Sequence, residues 1–178
     1  MTRIDLTGSD ASGETAFLLL GSNRPPREHF LQQAIELLGQ LPDTHITWQS
    51  PVLRTPPYGY TQQEDFLNQV LHLKTGLLPR QLLRAVKETE QQVGRRESFR
   101  WGPREIDIDI IFYGNWMVQS PELMIPHGDY RNRDFVLKLL LEFDKGLKDP
   151  VTGEALRDRL QELERKTHEG LHEPGGQG

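Results

Sequence analysis

Arg100-Trp101-Gly102-Pro103-Arg104-Glu105-Ile106-Asp107-Ile108-Asp109-Ile110-Ile111-Phe112 changes character partway along. Its first half is basic and punctuated by a glycine and a proline, which predicts a loop. From residue 105 to 112 isoleucines alternate with acids, which predicts a β-strand with one apolar face. Ile106, Ile108 and Ile110 fill that face and would pack on a core. Asp107 and Asp109, two apart, point together from the other face.

Working upstream, residues 79–94 predict a helix that opens on Pro79 and closes on Gly94. Leu82, Leu83, Val86 and Val93 form its buried stripe. Glu90 lies four residues after Val86 and so falls on the stripe, with Lys87 at its margin. A carboxylate there either has a buried partner or reaches past the helix end to water. Residues 66–74 predict a strand with Leu67, Leu71 and Leu73 on one face and Phe66, Asn68, Val70 and His72 on the other. Residues 55–59 hold two prolines and a glycine and must be a loop. Residues 45–53 predict another strand, which Pro51 confines to an edge or a bulge. Before it, Phe30, Leu31, Ala34, Leu37, Leu38 and Leu41 recur at helical spacing between Pro26 and Pro42. The apolar run at residues 15–21 predicts a buried first strand.

The resulting order is strand, helix, strand, strand, helix, strand. That is the split βαβ pattern of an α+β, ferredoxin-like fold. Downstream, an additional strand and helix region is expected, with a loop around Pro126-His127-Gly128 and helices near residues 131–143 and 154–166. A single domain over residues 15–168 is expected, with disordered tails at 1–14 and 169–178. The fold by itself implies no activity.

Composition narrows the chemistry. The 178 residues carry 21 Lys and Arg against 26 Asp and Glu, a net charge of −5 that disfavours general nucleic-acid binding. There is no cysteine, which excludes disulfides and thiolate metal sites. No apolar run has the length of a membrane span, and the first residues lack the apolar core of a secretory signal, so a cytoplasmic location with no membrane partner is expected.

Two carboxylates side by side repel unless a cation sits between them or they simply face water. Oxygen-only ligands of this kind suit magnesium, which takes one or two carboxylates plus substrate phosphates. Arg95, Arg96, Arg100 and Arg104 lie just upstream, and Arg131 and Arg133 follow. Arginine's planar fork matches phosphate oxygens, so acids and arginines together suit a nucleoside triphosphate. No G-x-x-x-x-G-K-[ST] and no G-x-G-x-x-G is present, so side chains and metal must hold the phosphates. Phe66 and Asn68 share a strand face, where a flat polar ring could stack on one and hydrogen-bond the other; Trp101 is a second stacking candidate. Each of these aromatics could equally serve core or rim packing.

Arg100-Trp101-Gly102-Pro103-Arg104 followed by Asp107-Ile108-Asp109-Ile110-Ile111 resembles the signature of the hydroxymethyldihydropterin pyrophosphokinases. Gly21-Ser22-Asn23, Arg54-Thr55-Pro56-Pro57-Tyr58-Gly59, Phe66-Leu67-Asn68, Pro126-His127 and Asn132-Arg133-Asp134-Phe135 are similar to further family motifs, in the family's order, between residues 16 and 143. The resemblance implies transfer of a diphosphoryl group from ATP to 6-hydroxymethyl-7,8-dihydropterin, giving AMP and the pterin diphosphate in folate biosynthesis. It implies two Mg2+ ions on Asp107 and Asp109, with Arg95 and Arg104 assisting turnover. It places the pterin against Phe66, Asn68, Trp101, Phe135 and the Thr55, Pro56, Pro57, Tyr58 loop. It assigns Lys87, Glu90, Arg96, Arg104, Ile110, Leu123, His127 and Arg133 to the ATP site, in a monomer. Phe66 and Gly128 stand where some members carry tyrosine. Two rival classes are a non-catalytic ferredoxin-like nucleic-acid-binding module and a metal-dependent phosphohydrolase using the same aspartates.

Overall fold

The structure is a computed structural model that describes residues 2–3, 13–57, 60–96, 98–99 and 102–170. Its strands are β1 (Thr2–Arg3), β2 (Glu14–Ser22), β3 (Thr44–Gln49), β4 (Leu53–Thr55), β5 (Phe66–Thr75), β6 (Asp107–Tyr113), β7 (Trp116–Gln119) and β8 (Met124–Ile125). Its helices are α1 (Arg27–Gly39), α2 (Pro79–Val93), α3 (Asp134–Phe143) and α4 (Leu156–Gly170), with a 3-10 turn at Tyr130–Asn132.

β3, β5, β2 and β6 lie side by side in that order, each pair antiparallel, and β4 also pairs with β5. This is the strand order of the expected α+β, split βαβ core. The sheet has two apolar faces because its alternating side chains meet helices on both sides. On one face Leu18, Leu20, Leu71, Leu73, Ile106, Ile108 and Ile110 pack with Leu31, Ala34 and Leu38 of α1 and Leu82, Val86 and Val93 of α2. On the other, Phe17, Leu19, Val70, Ile111 and Phe112 pack with Val136, Leu137 and Leu140 of α3 and Leu156 of α4. Ile111 and Phe112 both reach the second face because the β2–β6 register slips there. Phe17 pairs with Phe112 but Leu18 with Ile110, so Ile111 is an extra, bulged residue.

α2 runs as its apolar stripe predicts and stops at Gly94, whose φ of 101° is left-handed and suits glycine. The single strand expected over residues 45–53 is instead two, β3 and β4, with a break at residues 50–52. Pro51 has no N–H for a ladder. Ser50 holds the chain at the break: its N–H donates to the Val70 carbonyl and its Oγ accepts from the Val70 N–H, both at 2.9 Å. The helix expected from residue 131 starts as the 3-10 turn and becomes α-helical only at Asp134.

β7 and β8 were not individually expected. They form a small second sheet with Thr2–Arg3, which pairs with Trp116 and Met117. Thr2–Arg3 belongs to the segment expected to be a tail, and α4 continues past residue 168 to Gly170. Residues 4–12 and 171–178 lie outside the described residues.

Candidate active site

The sheet register builds a polar floor on the face that α3 covers. Asp107 pairs with Gly21, and Gly21 pairs on its other side with Asn68. Two rungs along, Asp109 pairs with Leu19, which pairs with Val70. The two aspartates and Asn68 therefore project from one surface. A Cβ on Gly21 would come within 3.3 Å of Asn68 Oδ1 and 3.6 Å of the Phe66 ring. Glycine there keeps the floor open between the acids and the Phe66–Asn68 strand end. Asn68 donates from Nδ2 to Thr55 Oγ1 at 2.8 Å, which fixes the amide against β4.

Asp107 is enclosed by cations. Its Oδ2 lies 2.6 Å from Arg104 Nη1, and its Oδ1 lies 2.9 Å from Arg95 Nη1. Arg95 Nη1 also reaches Glu90 Oε2 at 2.5 Å, and Lys87 Nζ lies 3.0 Å from the same oxygen. Glu90 Oε1 accepts the Ile108 N–H at 2.8 Å. Glu90 is only 2% exposed, so the carboxylate on the apolar stripe does have buried partners. Burial works against the Arg95 charge, but Asp107, Glu90 and Asp109 outweigh it and raise its pKa above the ordinary value. Lys87, Glu90, Gln91, Arg95, Arg96, Ser98 and Arg104 line a cleft of about 500 Å³ beside these pairs.

Asp109 has a looser setting. His127 Nε2 and Arg133 Nη1 each lie 3.9 Å from its Oδ2. His127 Nδ1 accepts the Asp129 N–H at 3.2 Å, which leaves Nε2 as the proton-bearing nitrogen of the neutral ring. Arg133 is steered by Asp129, whose Oδ2 accepts from Nε at 3.1 Å. Burial, and then the Asp107 charge, push the Asp109 pKa up, against the pull of His127, Arg133 and Lys87.

The expected site residues thus fall into groups. Lys87, Glu90, Arg95, Arg96 and Arg104 line the cleft, and Asp107 pairs with Arg95 and Arg104 beside it. His127 and Arg133 flank Asp109. Thr55, Asn68 and Phe66 meet at the end of β5, with half-buried Pro57 and exposed Pro56 just beyond. Phe135 stands in the first turn of α3, half-buried against the second core. Ile110 and Leu123 are buried in the first core, so their side chains are committed to packing. Tyr58 and Trp101 lie outside the described residues. Arg24, Glu105, Asp129 and Asp149 brace the site and were not singled out from sequence; Asn23 was quoted with Gly21 and Ser22 but given no role. Two of these ties are distant in the chain: Arg24 with Glu105, and the Arg104 N–H with Asn23 Oδ1, are both 81 residues apart. No local spacing could announce those two, whereas Asp129 is tied locally, to Asn132 and Arg133.

The donor set can be tested against a metal. Among the described residues no three His, Asp or Glu side chains converge to hold an ion. Two carboxylates on one strand face, with room for a phosphate-bearing ligand beside them, suit Mg2+, which draws its other ligands from water and phosphate. The residues present fit.

A family model described as 7,8-dihydro-6-hydroxymethylpterin-pyrophosphokinase matches residues 17–145. The chain is 40% identical to the 2-amino-4-hydroxy-6-hydroxymethyldihydropteridine pyrophosphokinase of Aquifex aeolicus, over 81% of this chain and 89% of that one. It is also 40% identical to the bifunctional protein FolKE of Lactococcus lactis, over 87% of this chain but 45% of that one, so it spans less than half of that longer relative. A crystal structure of an HPPK-DHPS in complex with substrates superposes with a TM-score of 0.69, covering 90% of this chain and 45% of that one at 15% identity. Wild-type Plasmodium falciparum HPPK-DHPS with pteroate gives 0.71, covering 94% and 45% at 14% identity. At such identities these two structures speak for the fold alone. The matched family span and the Aquifex relative decide the assignment, and the chain belongs to the 7,8-dihydro-6-hydroxymethylpterin-pyrophosphokinase family, the diphosphokinases of folate biosynthesis.

Proposed function

We propose that the chain transfers the β,γ-diphosphoryl group of ATP to the hydroxymethyl oxygen of 6-hydroxymethyl-7,8-dihydropterin. The carbinol oxygen bonds to the β-phosphorus, the bond from that phosphorus to the α-phosphate oxygen breaks, AMP leaves, and the hydroxyl proton is released. What supports this reading is the pair Asp107 and Asp109 on one strand face, beside a cleft walled by Lys87, Arg95, Arg96 and Arg104, with Asp107 on the same rung as Asn68 across Gly21.

Asp107 and Asp109 would hold Mg2+. When bound, the metal neutralises phosphate charge and helps align the attacking and leaving oxygens. Everything else is done by the chain. Arg95 and Arg104 already sit on Asp107, and each can exchange that carboxylate for a phosphate oxygen, since both are charge-assisted pairs of one kind. Lys87 and Arg96 add positive charge at the cleft wall, with His127 and Arg133 on the far side of Asp109. Phe66 and Phe135 would stack on the pterin, while Asn68, oriented by Thr55, would read its polar edge. Trp101 and Tyr58 would complete that pocket. The barrier falls mainly through positioning and charge neutralisation, with no general base required. Every residue invoked comes from one chain, so a monomer suffices. No helix among the described residues is long and apolar enough to cross a membrane.

The test is AMP release from ATP and Mg2+ with and without the pterin. AMP that forms only with the pterin is the expected result. ADP, or phosphate released without pterin, would replace this reading with a different kinase or a phosphohydrolase.

A further inference from the structure

Three acidic side chains are buried among the described residues: Glu90 at 2%, Glu105 at 6% and Asp149 at 3% exposure. Glu90 belongs to the cleft. Glu105 does not line it, yet it lies between two residues that do the pairing there, Arg104 and Asp107. Its two oxygens are both used. Oε1 lies 2.6 Å from Arg24 Nη1, and Oε2 accepts the backbone N–H of Arg96 at 3.2 Å.

The Arg96 contact fixes Arg95. α2 ends at Gly94, and the Arg95 N–H donates to the Glu90 carbonyl at 3.0 Å. The next N–H, that of Arg96, ends on Glu105. Arg95 is therefore pinned on both sides of its α-carbon, by the helix before it and by a buried carboxylate after it. Without the second pin the chain would be free to rotate just beyond Arg95. The Arg24 contact fixes the other side of Glu105. The N–H groups of Asn23 and Arg24 donate to the Arg104 carbonyl at 3.1 and 3.2 Å, and Asn23 Oδ1 accepts the Arg104 N–H at 2.8 Å. One carboxylate thus ties together the turn after β2, the exit of α2 and the entry to β6.

We infer that Glu105 is a positioning residue of the proposed reaction, holding the α2 exit so that the Arg95 guanidinium meets Asp107 and then the triphosphate. It touches no substrate and acts through Arg95. The alternative is a buried ion pair that serves the fold alone. The inference rests on the proposed reaction and falls with it.

A double-mutant cycle separates the two. Glu105→Gln, Arg95→Ala and the double variant are compared with wild type for single-turnover AMP formation, pterin affinity and thermal melting. Misplacement of a catalytic group by about 1 Å can cost about 100-fold. Glu105→Gln is accordingly expected to slow turnover by about 10-fold or more, with pterin affinity held within about twofold. In the Arg95→Ala background the same change should leave turnover where it is, because the group it positions is gone. An unchanged rate for Glu105→Gln, or the same fractional loss in both backgrounds, overturns the inference. Should Glu105→Gln fail to fold, Arg24→Met removes the other half of the pair and is put through the same cycle with the same criteria. Wild-type protein that forms no AMP with pterin would overturn the reaction itself and this inference with it. A wild-type protein that is active while Glu105→Gln matches it removes only the role of Glu105.

Discussion

The two aspartates of β6 share a strand face but not an environment. Asp107 has guanidinium nitrogens at 2.6 and 2.9 Å, whereas among the described residues His127 and Arg133 come no closer to Asp109 than 3.9 Å. The flank around Asp107 is already neutralised by the chain. The flank around Asp109 has its partners held back: Arg133 is engaged by Asp129, and the His127 ring accepts a backbone N–H. Behind each flank stands a buried carboxylate. Glu105 fastens the basic loop, and Asp149 fastens the 3-10 turn by accepting from Tyr130 Oη, Arg131 and the N–H groups of Val151 and Thr152. The difference teaches that one acid is a place where the protein's own charge must be exchanged, and the other is a place where charge must be supplied.

Four variants probe that contrast. Asp109→Ala should have the largest effect, a loss of AMP formation of about 1,000-fold or more, because it removes one of the two carboxylates that would hold Mg2+. Circular dichroism should show an intact fold, and near-wild-type turnover with Mg2+ would end the distinction. Arg95→Ala should slow turnover by about 100-fold while pterin affinity is retained. A loss seen only in the pterin Kd would place Arg95 in the wrong role. Asp149→Asn should cost about 1–3 kcal/mol of stability, since it leaves buried donors poorly matched. The sign of its pH dependence follows from the pKa. Burial pushes the carboxyl up, but the donors of Tyr130, Thr152, Val151 and Arg131 hold it below the ordinary value. A depressed pKa stabilises the fold above the unfolded-state value of about 3.9. The gap between wild type and variant should therefore be full at neutral pH and close as pH falls below about 4, read from urea melts. Phe66→Ala, outside both flanks, should have the smallest effect, weakening pterin about tenfold with kcat little changed. Calorimetric titration reads this directly, and a kcat collapse would tie the strand end to the acids more closely than the register suggests.

Much of this was readable in the chain, and the reason is local periodicity. Ile106, Ile108 and Ile110 do lie in the core opposite Asp107 and Asp109. Leu67, Leu71 and Leu73 face α1 and α2, while Val70 faces α3. Glu90 stood out because an acid on an apolar stripe demands a partner, and Ile108, Lys87 and Arg95 provide it. The helix stripe was less accurate at α1, where Ile35 is buried and Phe30, Leu37 and Leu41 are only half-covered. The interruption at residues 50–52 was legible as a proline but not as a division into two strands, because the Ser50–Val70 bonds that make it depend on which strand lies alongside. The braces at Glu105 and Asp149 were illegible for a similar reason. A buried ion pair across 81 residues leaves no period in the sequence, and only the packed sheet brings its ends together.

The division of the β5 edge between β3 and β4 has a kinetic meaning. β3 holds Leu71–Thr75, while β4 holds only the three rungs at Phe66, Leu67 and Asn68. Ser50 ends one ladder before the other begins, so the short ladder can open without disturbing the long one. In amide exchange the rungs around Arg54 would then form their own small opening unit, exchanging ahead of the β3–β5 amides. The strand that carries Thr55 to the Asn68 amide is thereby the least expensive part of the sheet to detach.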